Sequence, residues 1–485
     1  MSEAVRALEP KAVWNHFADM NEVPRPSKKE ERIIQFMVDF GNSLGLPTEV
    51  DEVGNVFIRK AATPGMEDRT PVVMQAHLDM VCQKNNDTEF DFDTQGIQML
   101  VEGDWVRANG TTLGADNGIG VAMIMAVLAS SDIPHPGIDA LFTIDEETGM
   151  TGALALQPNM LNGKILLNID TEDDDELTIG CAGGIDITAK KAVATVALSG
   201  SYQGVALSVK GLSGGHSGMD IHKGLGNANK IMNRFFDLVL AHGGAIASVD
   251  GGGLRNAIPR ESNAVVAIPE GQYTAFTAAF DALAKAVVAE LGTTDPHATI
   301  TATPVETPET VLDAAEAKAL VAAVFGAHSG IFRMSPDIEG LVNTSNNVAR
   351  VLVANGEALI SCLTRSAAES EKGELATALT RTFEAAGYNV VADGAYPGWT
   401  PNPKSAILTK MSTLYREMFN DEPKIQACHA GLECGILGTN YPEMELISFG
   451  PNIRGAHSPD EKCQISSVAK SWNFLLATLA DIPNV

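Results

Sequence analysis

The chain holds ten histidines and 61 Asp and Glu residues, but only a few occur where their type and spacing could do chemistry. His77 stands in Gln75-Ala-His-Leu-Asp79. On an extended strand residues i and i+2 share a face, so Asp79 falls on the imidazole's side, where a carboxylate can fix the tautomer of a metal-bound histidine. Taken alone, the pair describes a satisfied core histidine equally well. Asp116 lies in Thr111-Thr-Leu-Gly-Ala-Asp-Asn-Gly-Ile-Gly120, a Gly-rich turn feeding an apolar run. A routine helix N-cap would account for it; with no GxGxxG or Walker lysine, a phosphate cradle does not. Glu146 and Glu147 are adjacent in Thr143-Ile-Asp-Glu-Glu-Thr-Gly149. Neighbouring side chains at a strand end point in different directions, so one can ligate a cation while the other moves a proton; a solvated acidic turn is the plainer alternative. Asp170 closes Ile165-Leu-Leu-Asn-Ile-Asp170 and opens an acidic run to Glu176 that lacks the glycine and distal glutamate of a calcium loop. Residues 172–176 are therefore expected to be a solvated loop. His457 sits in the Gly- and Pro-containing loop Gly455-Ala-His-Ser-Pro-Asp460. Two histidines and three carboxylates together offer the nitrogen and oxygen ligands that suit zinc, cobalt or manganese, without the thiolates of a purely structural site.

The elements that must position these residues are legible as apolar runs. Residues 12–45 carry helical spacing broken by Pro24-Arg-Pro-Ser27, predicting two opening helices. Val56–Ile58, Val72–Met74, Leu141–Ile144 and Ile165–Ile169 fit buried strands, and Ile119–Leu128 a buried helix. His77, the Glu146–Glu147 pair and Asp170 all follow the ends of such runs, the place where open α/β sheets build their sites. After Gly180-Cys-Ala-Gly-Gly184 the texture changes to alternating segments (Ile185–Val196, Val205–Val209, Asn263–Ile268, Thr299–Thr303, Leu359–Leu363) and amphipathic stretches at 227–241, 273–291 and 372–387. It changes back near Gly394-Ala-Tyr-Pro-Gly-Trp399, and the apolar run Met444–Phe449 leads into the His457 loop. The fold class is thus α/β, a mixed central sheet flanked by helices and interrupted by an inserted α+β domain. The expected boundaries are 1–184 and 393–485 for the catalytic domain and 185–392 for the insertion. The sequence shows no internal repeat, heptad run or low-complexity linker.

Composition narrows the function classes. A chain of 485 residues exceeds a single ordinary core. A formal charge of -27 repels phosphate backbones and anionic lipid, so neither nucleic acid nor a membrane surface is an expected partner. The start MSEAVRALEP has no basic n-region or apolar h-region, and the six scattered cysteines have no CxxC spacing. A cytoplasmic protein with reduced thiols is expected.

The stretches Ala76-His-Leu-Asp79, Leu113-Gly-Ala-Asp-Asn-Gly118, Asp145-Glu-Glu-Thr-Gly149, Asn168-Ile-Asp170, Gly214-Gly-His-Ser-Gly218 and Gly455-Ala-His-Ser-Pro459 resemble those of the aminoacyl-histidine dipeptidases (peptidase D, carnosinase-like). These are bacterial members of the two-zinc metallopeptidase family M20, subfamily C. The resemblance runs the whole length, through Leu254-Arg-Asn-Ala-Ile-Pro-Arg-Glu261 and His429-Ala-Gly-Leu-Glu-Cys-Gly435. It implies a metal-dependent dipeptidase with two Zn2+ per subunit, for which Co2+ or Mn2+ can substitute. One zinc would be held by His77 and Asp170, the second by Glu147 and His457, with Asp116 bridging across a peptide to Asn117 that is cis in relatives. A pair of metals can clamp both the attacking hydroxide and the substrate carbonyl, with Glu146 as general base and Asp79 orienting His77. The resemblance also implies a homodimer, and a lid histidine, here His216, that polarises the scissile carbonyl, often from the partner subunit. The implied substrates are small unblocked dipeptides ending in histidine, β-alanyl-histidine included.

Arg365, at the end of the Leu359–Leu363 run, is a candidate for gripping a free carboxylate in bidentate fashion, with Asn256 as a companion; a surface ion pair is the alternative for Arg365. His429 has a Gly-rich neighbourhood suited to lining a pocket. Two rival activities stay open. An N-acyl amino acid deacylase would use the same metals. A serine hydrolase would use Ser217, although Gly215-His-Ser-Gly-Met219 lacks the last glycine of GxSxG.

Overall fold

A computed structural model describes residues 2–85 and 87–484, and the chain divides into two compact units. The first comprises Met1–Gly180, Pro401–Ala427 and Glu433–Val485. Its main sheet has eight strands in the order Thr48–Val50, Val56–Lys60, Ile138–Thr143, Val72–His77, Ile165–Asn168, Glu445–Ser448, Glu176–Cys181, Lys424–Cys428. The four central strands run parallel, and the strands flanking them are antiparallel where the register is defined, giving the expected mixed sheet. Val72–His77 and Ile138–Thr143 are buried at every position, which is why they appear in sequence as unbroken apolar runs. The helix Ala115–Ala129 is apolar on all sides and buried along nearly its whole length, and it packs against Lys11–Asn21 and against Val72–His77. The two opening helices, Lys11–Asn21 and Glu31–Ser43, flank the Pro24–Ser27 turn as expected.

The second unit comprises Cys181–Thr400 and Cys428–Leu432. This division assigns to it a few residues on either side of 185–392, together with the segment around His429 that lies within the expected last catalytic stretch. Eight of its strands form one sheet, in the order Thr299–Val305, Tyr202–Lys210, Ser262–Pro269, Ala245–Gly252, Val342–Ala354, Glu357–Ser366, Gly183–Ala192, Asn389–Tyr396, with Gly330–Met334 paired to Val342–Ala354 beside that path. Four helices share one apolar core with the sheet: Ala228–Ala241, Tyr273–Glu290, Ala314–Gly326 and Glu369–Ala385.

The absence of a repeat in the sequence is corrected by the topology. The segment from Tyr202 to Val305 runs strand, helix, strand, strand, helix, strand, with sheet order 4-1-3-2. The remainder does the same: Gly183–Ala192, the helix Ala314–Gly326, Val342–Ala354, Glu357–Ser366, the helix Glu369–Ala385 and Asn389–Tyr396. The two βαββαβ modules meet edge to edge through their second strands, Val249 to Gly252 facing Val353 to Arg350 in antiparallel register. The first module is inserted between strand 1 and helix 1 of the second, and the ends of the insertion are clipped together by Thr195–Ala197 pairing with Thr310–Leu312. An insertion of this kind removes any fixed period from the sequence.

None of the six cysteines forms a disulfide. Among the described residues, no helix is long and apolar enough to cross a membrane. The second unit's core depends on its aromatic side chains: the Phe235 and Phe280 rings lie 4.8 Å apart, and Phe276 and Phe280 5.9 Å apart, all three fully buried. Phe280→Ala should destabilise this unit by about 3–5 kcal/mol through lost transfer energy and a residual cavity, measured as a lower denaturation midpoint with an unchanged slope.

Candidate functional site

In the first unit, the strand ends bring seven of the predicted residues together. His77 is the last residue of its strand and is buried. Its Nε2 lies 3.2 Å from Asp116 Oδ1 and 3.6 Å from Asp170 Oδ1. The other oxygen of Asp116 lies 3.2 Å from His457 Nε2, which is itself 3.1 Å from Glu147 Oε2. Asp116 therefore presents one oxygen to each of two histidine–carboxylate pairs. Three overlapping triads have ligand atoms within 4.8 Å of one another: His77 with Asp116 and Asp170, Asp116 with Glu147 and His457, and His77 with Glu146 and Glu147. The Asp116–Asn117 peptide is cis, and Asn117 donates its side-chain amide to Asp170.

The electrostatics of this group suit a cation. Burial, together with repulsion from Asp116 and Glu433, pushes the Asp170 carboxyl well above the usual range despite the opposing charge of His77. Burial likewise raises Glu146, with Asp170, Glu433 and Glu147 adding to it against His77. Asp116 is also desolvated, yet hydrogen bonds from His457 and His77 hold it low. Asp116 and Glu147 push the His457 imidazole up to about 11. Glu147 Oε1 is buried without a hydrogen-bond partner. Carboxylates crowded around imidazoles, with an oxygen to spare, form a donor set that fits divalent metal ions such as zinc.

Several residues that support this group carry no sequence signal. Glu461, four residues beyond His457, is buried, and its carboxylate accepts the backbone N–H groups of Leu113, Gly114, Ala115 and Asp116 at 2.7, 2.9, 2.8 and 3.3 Å. It thus caps the turn that presents Asp116. Arg25, expected only as part of a turn, is buried. It donates to the carbonyls of Leu78 and Asp79 at 3.1 and 3.2 Å and to that of Gly114 at 2.6 Å, tying the His77 strand end to the same turn. Gly114 has φ +70° and a Cβ there would strike Arg25 and Met80, so glycine is required. Glu433 receives hydrogen bonds from Gln75 at 2.7 Å and Thr143 at 2.6 Å, joining the two strands that end in the site, and burial raises its carboxyl to about 7.

Asp79 does more than the i, i+2 geometry implied. Its carboxylate lies 3.4 Å from His77 Nδ1, its carbonyl 3.1 Å from the same atom, and it also accepts the backbone N–H groups of Glu146 at 3.0 Å and Glu147 at 3.2 Å. One buried carboxylate thus orients the histidine and both glutamates. The acidic run 172–176 is half-buried and ion-paired, not freely solvated along its length. Asp173 pairs with Arg454, Asp174 with Lys470 at 2.8 Å and Asp175 with Lys424 at 2.7 Å, while burial and the Asp116 charge push Glu172 up to about 8.

In the second unit, His216, Arg365 and the backbone of Asn256 converge. Arg365 is buried, and no surface ion pair forms. Its Nη1 donates to the Tyr396 hydroxyl at 2.8 Å, Nε lies 3.4 Å from Ser217 Oγ and Nη2 3.4 Å from His216 Nε2. The backbone N–H groups of Gly218 and Met219 donate to His216 Nδ1 at 3.2 and 3.0 Å, which places the neutral ring's proton on Nε2. Two donors, Nε2–H and the guanidinium, therefore face the same spot, the arrangement that suits an oxyanion or carboxylate between them. The Asn256 carbonyl accepts the Ser217 N–H at 2.7 Å, while its side chain is exposed. Ser217 is buried beside a guanidinium, which cannot serve as the base of a serine nucleophile. His429 is buried with Nε2 2.7 Å from Ser345 Oγ; burial and the nearby Arg365 charge lower its pKa to about 3.

Two outcomes follow. Glu461→Gln leaves buried backbone N–H groups short of an acceptor, so it should cost about 1–3 kcal/mol and weaken metal affinity about 10–100-fold, read by denaturation and by titration in a metal buffer. His429 is depressed below its unfolded value of 6.5, so the folded state binds fewer protons there than the unfolded chain. Its contribution is complete above pH 6.5 and is lost as pH falls toward 3. The stability difference between the wild type and His429→Gln should therefore change by up to about 1.4 kcal/mol per pH unit within that window and stay flat above it, measured by denaturation across pH.

The sequence profile of peptidase family M20/M25/M40 matches residues 73–481. The cytosol non-specific dipeptidase of Escherichia coli K12 is 41% identical, over 100% of both chains. The crystal structure of aminoacylhistidine dipeptidase from Vibrio alginolyticus superposes with a TM-score of 0.92 at 41% identity, covering 100% of each chain. A tripeptidase from Staphylococcus aureus, at 15% identity and a TM-score of 0.57 over 98% of this chain and 99% of its own, shares the fold. The chain belongs to peptidase family M20/M25/M40.

Proposed function

We propose that the chain is a two-zinc dipeptidase acting on unblocked dipeptides, Xaa-His and β-alanyl-histidine among them. The observation that carries the reading is Asp116, whose two oxygens lie 3.2 Å from His77 and 3.2 Å from His457. His77 and Asp170 would hold one ion and Glu147 and His457 the other, with Asp116 shared; cobalt or manganese can take the same ligands. When bound, the metals supply Lewis acidity toward a peptide carbonyl and toward water. The full-length relatives at 41% identity, both named as dipeptidases, support the substrate class.

Glu146 is the proton carrier: its carboxylate lies in the triad with His77 and Glu147, and Asp79 holds its backbone N–H. It takes the proton of the attacking water and returns it to the leaving amine. Asp79 keeps His77 and the two glutamates in register and remains ionised: although burial raises it, His77, Ser27 and the Glu146 N–H together hold it below the usual range. His216 donates Nε2–H to the developing oxyanion, Arg365 grips the free carboxylate, and Asn256 shapes the turn beside them. An N-acyl amino acid deacylase would share the metals and differ in substrate.

The test compares hydrolysis of Ala-His, β-Ala-His and N-acetyl-His by the wild type, by metal-stripped protein with and without zinc restored, and by Glu146→Gln. The dipeptides should be cleaved only with metal present. Glu146→Gln should lower kcat by about 10²–10⁴ with its metal content unchanged. Preference for N-acetyl-His would make the chain a deacylase, and activity surviving chelation would overturn the metal mechanism.

A further inference from the structure

We propose that residues 21–30, the connection between the two opening helices, position the acids of the first unit's site, and that Glu30 aims Glu146 through the backbone of Asp145. The inference rests on the proton-carrying role proposed above for Glu146.

Four side chains from this one stretch reach the loops that carry the ligands. Asn21, the last residue of the helix Lys11–Asn21, is buried; it donates its side-chain amide to the Leu113 carbonyl at 3.2 Å, and its oxygen accepts from Arg25 Nη2 at 3.1 Å. Arg25 holds the carbonyls of Leu78, Asp79 and Gly114. Its own carbonyl accepts the Met80 N–H at 3.2 Å, and Ser27 Oγ donates to Asp79 Oδ2 at 2.7 Å. Glu30 Oε1 accepts the Asp145 N–H at 3.0 Å. In order along the chain, the stretch thus holds the turn before Asp116, the residues after His77 and the turn that carries Glu146 and Glu147.

Glu30 occupies the N-cap position of the helix Glu31–Ser43, where a carboxylate ordinarily takes the helix's own free N–H groups. Here its side chain makes no capping bond to that helix and is buried, 5% exposed, where it reaches Asp145. Withdrawing a carboxylate from water is unfavourable unless hydrogen bonds answer it, and a capping role needs no such burial. The placement serves the neighbouring turn.

That turn has a conformation its backbone does not favour alone. Asp145 has φ +53°, in the left-handed region that a residue other than glycine enters only where its surroundings impose it. The surroundings are side chains on both sides of the turn. The N–H groups of three successive residues, Asp145, Glu146 and Glu147, are taken by Glu30 and Asp79, and the Asp145 carboxylate takes the hydroxyls of Thr148 and Thr151. The chain turns here just beyond the strand Ile138–Thr143, which brings Glu146 beside His77 while Glu147 meets His457. Without the Glu30 oxygen, the first of the three N–H groups is left unheld, and Asp79 alone cannot fix the turn. Glu30 is thus a positioning residue for Glu146.

The experiment measures kcat and KM for Ala-His, together with bound zinc, in full-length zinc-loaded Glu30→Ala, Glu30→Gln and Asp145→Gly, and repeats Glu30→Ala in a Glu146→Gln background. Glu30→Ala should lower kcat about tenfold to a hundredfold, the effect of a small misplacement of a reacting group, with KM and zinc content retained. Glu30→Gln keeps an oxygen for the Asp145 N–H and should recover most of the loss. In the Glu146→Gln background Glu30→Ala should lower kcat little further, because the group it aims is already gone; equal losses in both backgrounds would overturn the assignment, as would loss of zinc in place of loss of kcat. Asp145→Gly accepts a positive φ without strain but lacks the carboxylate. It should also lose kcat, a result independent of whether Glu30→Ala folds. Wild-type kcat in Glu30→Ala or Asp145→Gly, with only a lower melting temperature, would make these groups structural and sink the inference. Full activity of Glu146→Gln by itself is a separate failure: it removes the proton-carrier reading, and this inference with it, before any Glu30 variant is compared.

Discussion

The constraint on which the first unit turns is the crowding of carboxylates where parallel strands end. Asp116, Glu146, Glu147 and Asp170 repel one another and are largely withdrawn from water, a combination that costs several kcal/mol per ion unless each is answered. The chain answers it with backbone N–H groups and imidazoles more than with basic side chains. Glu461 takes four successive N–H groups, Asp79 takes those of Glu146 and Glu147, and His77 and His457 flank Asp116. Arg25 is a buried guanidinium placed beneath them, and it donates to the carbonyls of Leu78, Asp79 and Gly114, so it fixes the geometry of the turn and strand end. What remains is a set of acids held in place but incompletely compensated, the electrostatic condition for recruiting divalent cations.

This explains which parts of the site were legible in sequence. His77, Glu146, Glu147 and Asp170 could be found because buried parallel strands appear as continuous apolar runs, and the first polar residues beyond them mark the sheet's C-terminal edge. The supports could not be found that way. Glu461 meets Leu113 across a separation of 348 residues, and Glu433 meets Gln75 across 358, so no local pattern links them. The acidic run after Asp170 misled for the same reason: Arg454, Lys470 and Lys424, which pair with it, lie in the last segment of the chain.

The second unit was legible as alternating segments but not as a duplication. Its central strand Val342–Ala354 begins Val-Asn-Thr-Ser-Asn-Asn, a composition that argues against a buried strand. It is buried nonetheless, because those polar groups are satisfied by partners from both modules: Asn347 by the carbonyls of Arg255 and Ala257, Thr344 by Ser366, and Ser345 by His429. The polarity that hid the strand is what fastens one module to the other. Buried amides of this kind specify a single register, since any slip would leave them unpaired at about 1–3 kcal/mol each.

The two units also divide the chemistry by sign. The first gathers acids at its strand ends, an arrangement that favours a cation. The second offers the reverse, a guanidinium and an imidazole N–H converging on one spot, with Tyr396 and Ser217 holding the guanidinium in place. A free carboxylate belongs with the second group on electrostatic grounds alone. An uncharged amide in that place cannot accept two charge-assisted hydrogen bonds as a carboxylate does. A chain of overall charge -27 can thus still offer a spot suited to an anionic group, provided that the few positive donors are buried and oriented.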